Sequence, residues 1–127
     1  MIKVSVDEAY AYDMLAILTV KEEAAPSDES AINRESLWID ILLEVGGDIH
    51  AAVMASPEYQ RMIEVNQQLF STIDALKVPM LARDAGADID RLNYQRYLAK
   101  RALQEKFFPN TPLTERKVGY TQGDKSS

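Results

Sequence analysis

Five prolines, Pro26, Pro57, Pro79, Pro109 and Pro112, do most to limit what this chain can fold into. Proline donates no backbone hydrogen bond and its ring clashes with the preceding turn. It therefore sits at the first position of a helix or beyond its end, not in the interior. Long proline-free stretches separate Pro26, Pro57, Pro79 and Pro109, and another precedes Pro26. Apolar residues in them recur at spacings of three and four, with no sustained alternation of period two. The expected fold class is all-α: a four- to five-helix antiparallel bundle with short connections.

Local signals place the helices. Ser5 and Glu8 form an S-x-x-E capping box, so the first helix should run from about Val6 to Glu23. The stretch AAPSDES, residues 24–30, reads as a linker. A second helix is expected over AINRESLWIDILLEV, residues 31–45, stopped by Gly46 and Gly47. Asp48 is placed to cap a short third helix, IHAAVMA. Ser56 followed by Pro57 starts a fourth, reaching about Lys77. VPMLARDAGAD reads as a loop with room for one helical turn, and Asp88 as the cap of a last helix from about Ile89 to Phe108. The expected organisation is one helical domain over residues 1–108 and an extended or loosely packed tail over residues 109–127.

Composition removes several function classes. The 127 residues carry a net charge of −6, the opposite of the basic footprint that nucleic-acid binding needs. The acids are spread among bases, which argues against a nucleic-acid mimic. With no cysteine there is no disulfide, thiol nucleophile or cysteine zinc site. One histidine, His50, leaves no histidine pair for a metal, and it reads as a helix-surface residue. Neither a metal nor a cofactor is expected. Carboxylate pairs of the kind that hold magnesium and a glycine loop for phosphate are both missing. MIKVSVDEAY has no apolar leader run, and no segment nears the roughly 20 apolar residues of a membrane span. A cytoplasmic protein without membrane contact is expected.

Polar residues fall inside the apolar faces. On a helical wheel the first helix buries Val6, Tyr10, Met14, Ile17 and Val20, with Asp13 and Lys21 in the same arc. Asn66 lies amid Tyr59, Met62, Ile63, Leu69, Phe70 and Ile73 on the fourth. In LNYQRYLAKR of the last helix, Asn93, Arg96 and Lys100 share the face of Ile89, Leu92, Leu103 and Phe107, with Gln104 at its edge. A buried polar group without a partner costs about 1–3 kcal/mol, so these groups must meet one another, water or a ligand. Arg96 is expected to hold Asp13 bidentately.

Two readings of this centre stay open. It is a structural network that fixes helix register, or it is a binding centre for a small anion or nucleotide. The second rests on one carboxylate, Asp13, facing Lys21, Arg96 and Lys100, with Asp13 as orienting group or base. A variant of the first lets Lys21 and Lys100 reach water along their stems. The second helix has a narrow polar stripe, Asn33, Ser36, Asp40 and Glu44, and is apolar over most of the rest. Trp38, Ile41 and Val45 are therefore either core or a docking surface for a protein partner or a second copy.

Three segments resemble small uncharacterised bacterial and phage protein families, filed as domains of unknown function. VSVDEAYAYDMLAILTVK resembles their opening at Val4-Ser5, Asp13, Ile17-Leu18 and Lys21. VNQQLFSTIDALK resembles a V-N-x-x-L-aromatic segment at Val65, Asn66, Leu69, Phe70, Asp74 and Lys77. NYQRYLAK resembles an N-x-x-R-x-x-x-K segment at Asn93, Arg96 and Lys100. A glutamate three residues before the Asp in that pattern is Tyr10 here. The resemblance implies an all-α fold and a bacterial or phage source, and it carries no activity. The functional expectation is a small helical interaction or accessory protein, with the anion-binding or nucleotide-related enzyme as alternative.

Overall fold

The computed structural model describes residues 5–111, apart from the side chain of Arg83. They form an all-α bundle of five helices: α1 (Glu8–Ala24), α2 (Asp28–Val45), α3 (Gly47–Met54), α4 (Pro57–Ala75) and α5 (Pro79–Phe107). The described residues contain no strand. The expected tail lies outside the described residues beyond Thr111.

The first helix begins two residues later than its capping box implies. Asp7, not Ser5, is the N-cap, and its carboxylate accepts from the Tyr10 N–H at 2.8 Å. Glu8 is then the first helical residue and cannot reach back across a turn; its carboxylate instead accepts from Gln104 Nε2 at 2.9 Å. Gln104 also completes the cap from α5. Its Oε1 accepts the otherwise orphaned Ala9 N–H at 2.8 Å, deep in the bundle. The linker is shorter than expected, since Ser27 caps α2 through the Ser30 N–H and the helix starts at Asp28.

Asp48 does not cap α3. Gly46 takes that position with φ of +87°, a conformation that favours glycine, and Asp48 lies in the first turn. Ser56 joins α3 to α4 with one hydroxyl. It donates to the Val53 carbonyl at 2.6 Å and accepts from the Tyr59 N–H at 3.1 Å.

The largest departure is α5. The stretch read as a loop is its first three turns: Pro79 occupies an N-terminal position, and Asp88 is interior, 3.7 Å from Arg91. Gly86 costs about 1 kcal/mol against alanine, but Ala82, Ala85 and Ala87 around it favour helix. At 29 residues α5 is about 43 Å long, against about 26 Å for the 17 residues of α1. The α4–α5 hairpin thus extends beyond the end of α1, and Leu76, Val78, Met80 and Leu81 are exposed around its turn.

The buried face of α1 also differs from the wheel. Val6, Tyr10 and Met14 are exposed, while Ala9, Tyr12, Asp13, Leu15, Ala16 and Val20 are buried. α1 packs against α2 on one side and α4 and α5 on the other. Its buried arc is wide, and a wheel that seeks one narrow stripe of large residues is centred wrongly. On α4 the face is closer to expectation, with Tyr59, Met62, Ile63, Asn66 and Leu69 buried, although Ile73 is exposed.

Candidate functional site

Three elements carry the polar centre. Asp13 on α1 is 2% exposed, and Arg96 on α5 lies over it with its side chain 28% exposed. Arg96 Nη2 donates to Asp13 Oδ2 at 2.6 Å, and Nε donates to Oδ2 at 2.8 Å and Oδ1 at 3.1 Å. Asn66 on α4 donates to Asp13 Oδ1 at 3.0 Å and, with the same amide nitrogen, to the Met62 carbonyl at 2.9 Å. Both carboxylate oxygens are thus held, and three helices meet at one group. The pairing of Asp13 with Arg96, 83 residues apart in the chain, ties α1 to α5.

The other expected members lie apart from that pair. Lys100 is 4% exposed, with its ammonium 5.8 Å from the centre of the Tyr10 ring, a cation–π position. Lys21 is exposed and Asn93 half-buried. Lys21 and Asn93 nevertheless share one small cleft with Asn66 and Arg96. The six residues therefore do not converge on a single point. Three form a closed triad, two stand at a cleft beside it, and Lys100 sits under Tyr10.

A second buried polar cluster has His50 at its centre. His50 is 2% exposed, which corrects its reading as a surface residue. Its Nδ1 lies 2.8 Å from the Tyr12 hydroxyl, and the two rings stack with centroids 5.7 Å apart. Trp38 meets His50 edge-on at 4.7 Å, and Tyr12 meets Tyr59 edge-on at 6.0 Å. Burial pushes the His50 imidazole below its ordinary pKa, the Tyr12 phenol up, and the Tyr59 phenol up to about 12. Among the described residues neither His50 Nε2 nor the Tyr59 hydroxyl has a hydrogen-bond partner. The spacing of His50 and Val53, both buried and one turn apart on α3, was the available signal for the histidine.

α2 has two apolar faces. Ile41 is buried, and Leu37, Trp38 and Val45 pack on the same core. The residues expected to dock a partner, Trp38, Ile41 and Val45, therefore point mainly into the bundle. On the opposite side Ile32, Ile39 and Leu43 are 63%, 46% and 79% exposed. With Ser36 they follow spacings of four, three and four, the seam of a coiled coil. The helix carries Asp28, Glu29, Glu35, Asp40 and Glu44 against one base, Arg34, which is paired with Glu22 of α1. Beside it lies a groove of about 320 Å³ between α1 and α2, floored by Tyr12, Leu37 and Ile41. Asp7, Glu8, Asp40 and Glu44 line that groove, and no basic residue does.

Among the described residues no group of three or more histidine or carboxylate side chains could hold a metal ion. No helix there is long and apolar enough to cross a membrane. Compared with protein-family models, curated proteins and solved structures, the chain has no match.

Proposed function

We propose that this chain is a small helical interaction protein that docks a basic amphipathic helix on the outward face of α2. One observation carries the reading: Ile32, Ile39 and Leu43 stand exposed at coiled-coil spacing on a helix that already contributes a separate face to the core. An apolar stripe of this kind matches the helix-on-helix mode of recognition. Charge selects the partner. Glu35 and Asp40 flank the stripe, and Asp40 and Glu44 also line the groove between α2 and α1. A second copy would set these acids against their like, whereas a helix with lysine or arginine beside its apolar stripe would complement them. The resemblance at Asp13, Asn66 and Arg96 supports a bacterial or phage cytoplasm as the setting.

The Asp13, Arg96 and Lys100 centre supports this reading better than the enzymatic one. Arg96 directs its donors to Asp13, and the Asp13 carboxylate is saturated by Arg96 and Asn66. The centre then acts as a buried clasp that sets the register of the helices around it.

Titrating the protein with a helical peptide of leucines at seam positions and lysines at the flanks tests the proposal. Saturable one-to-one binding is expected, with the free protein monomeric by light scattering. The double variant I39D/L43D adds two negative charges yet should weaken binding at least about tenfold, since the seam is lost. Unchanged or tighter binding by that variant would reduce the interaction to general charge attraction and overturn the reading.

A further inference from the structure

A cleft of about 180 Å³ opens beside the polar clasp, where α1 nears its end between α4 and α5. Ile17, Val20, Leu69, Phe70, Ile73 and Ile89 form its apolar wall. Its polar lining is Lys21, Asn66, Asn93 and Arg96, with no carboxylate. The two amide hydrogens of Asn66 are directed to Asp13 and Met62, and Arg96 is matched in charge by Asp13. Lys21 forms no ion pair, and the Asn93 amide no hydrogen bond, among the described residues. Among the described residues the cleft thus combines an apolar interior with one uncompensated cation and one unused amide donor at its rim.

Size and charge together define what would fill it. An apolar cavity of about 150 Å³ accommodates a benzene ring, so this one fits a single ring or a short branched chain. One net positive charge matches a monoanion better than a phosphate dianion. We propose that the cleft binds a small organic monocarboxylate. Its apolar body lies against Ile17, Phe70 and Ile89, and its carboxylate accepts from the Lys21 ammonium and the Asn93 amide. Lys21 lines the cleft and is exposed, so its stem can lie on the apolar wall with the ammonium at the mouth. This site is separate from the outward face of α2 and stands without it.

Phenylacetate is a suitable probe, with phenylacetamide as its neutral analogue and phenethylamine as its cationic one. Amide spectra of the full chain titrated with each should show shifts for phenylacetate at Ile17, Lys21, Phe70, Ile89 and Asn93. A dissociation constant near about 1 mM is expected for so small a ligand. The two analogues should bind about tenfold more weakly. Because Lys21 is exposed, Lys21→Gln should keep the spectrum of the folded protein and bring phenylacetate down to the level of phenylacetamide. Asn93→Ala should weaken phenylacetate less. No shift at about 10 mM phenylacetate, equal binding of acid and amide, or an unaltered affinity in Lys21→Gln would each overturn the proposal.

Discussion

The polar clasp beneath α5 and the outward face of α2 are opposites. The clasp is a set of polar groups in an apolar interior, and its carboxylate is matched by groups of the same chain. The outward face is a set of apolar groups in water, and nothing in the described chain covers Ile32, Ile39 or Leu43. Each looks out of place in sequence. The difference teaches that an out-of-place residue marks function only where its natural partner is missing. Asp13 has its partners in Arg96 and Asn66. Leu43 has none among the described residues, and the proposed docking face rests on it.

The contrast breaks most visibly at the clasp. Arg96→Met should cost about 3–5 kcal/mol in urea unfolding, because it leaves the Asp13 carboxylate buried without its cation. The double variant D13L/R96M should recover most of that loss, since no charge is then stranded. A double variant as unstable as the single one would mean that packing, not charge, governs the site.

The two faces of α2 should separate next. Ile41→Ala is expected to cost about 2–4 kcal/mol, as a truncation in the core. Leu43→Asp should stay within about 0.5 kcal/mol of wild type, being a surface change. Equal losses would show that both faces are structural, and the docking surface would disappear with the distinction.

The aromatic cluster gives smaller effects. Burial lowers the His50 pKa, so between the folded and unfolded values the unfolded chain binds the extra proton. Its contribution to stability is full above about pH 6.5 and is lost as pH falls through that value toward the folded one. Wild type should therefore lose stability on acidification more steeply than His50→Gln, by at most about 1.4 kcal/mol per pH unit in that window. Parallel slopes would place the histidine in a wetter site than its burial implies. The smallest effect is expected at Tyr59, whose buried hydroxyl has no hydrogen-bond partner among the described residues. Tyr59→Phe should be neutral or stabilising by up to about 1 kcal/mol, and a clear loss of stability would reveal a bond to that hydroxyl.

Part of this was legible beforehand. The all-α class followed from proline placement and periodicity, and the Asp13–Arg96 bond from the need to neutralise charges on apolar faces. Pro57 after Ser56 marked the start of α4. The rest depended on tertiary context. In VPMLARDAGAD the glycine and aspartates drew the reading toward a loop, although its alanines and Pro79 at the first position suit a helix. The wheel misplaced the α1 face because small residues, Ala9 and Ala16, are buried while Tyr10 and Met14 are not. Close helix packing selects small side chains, and a scale that rewards bulk overlooks them. The outward seam of α2 was hidden for a related reason. A helix apolar nearly all round does not disclose which side faces the core; Trp38 packs on it, while Ile39 and Leu43 are exposed.

The most direct test of the account is an amide-shift map of the protein bound to the leucine–lysine helix. Shifts are expected to concentrate at Ile32, Glu35, Ile39, Asp40 and Leu43, with Asp13, Asn66 and Arg96 unmoved. Shifts centred on Asp13, Asn66 and Arg96, with the outward face of α2 silent, would contradict it.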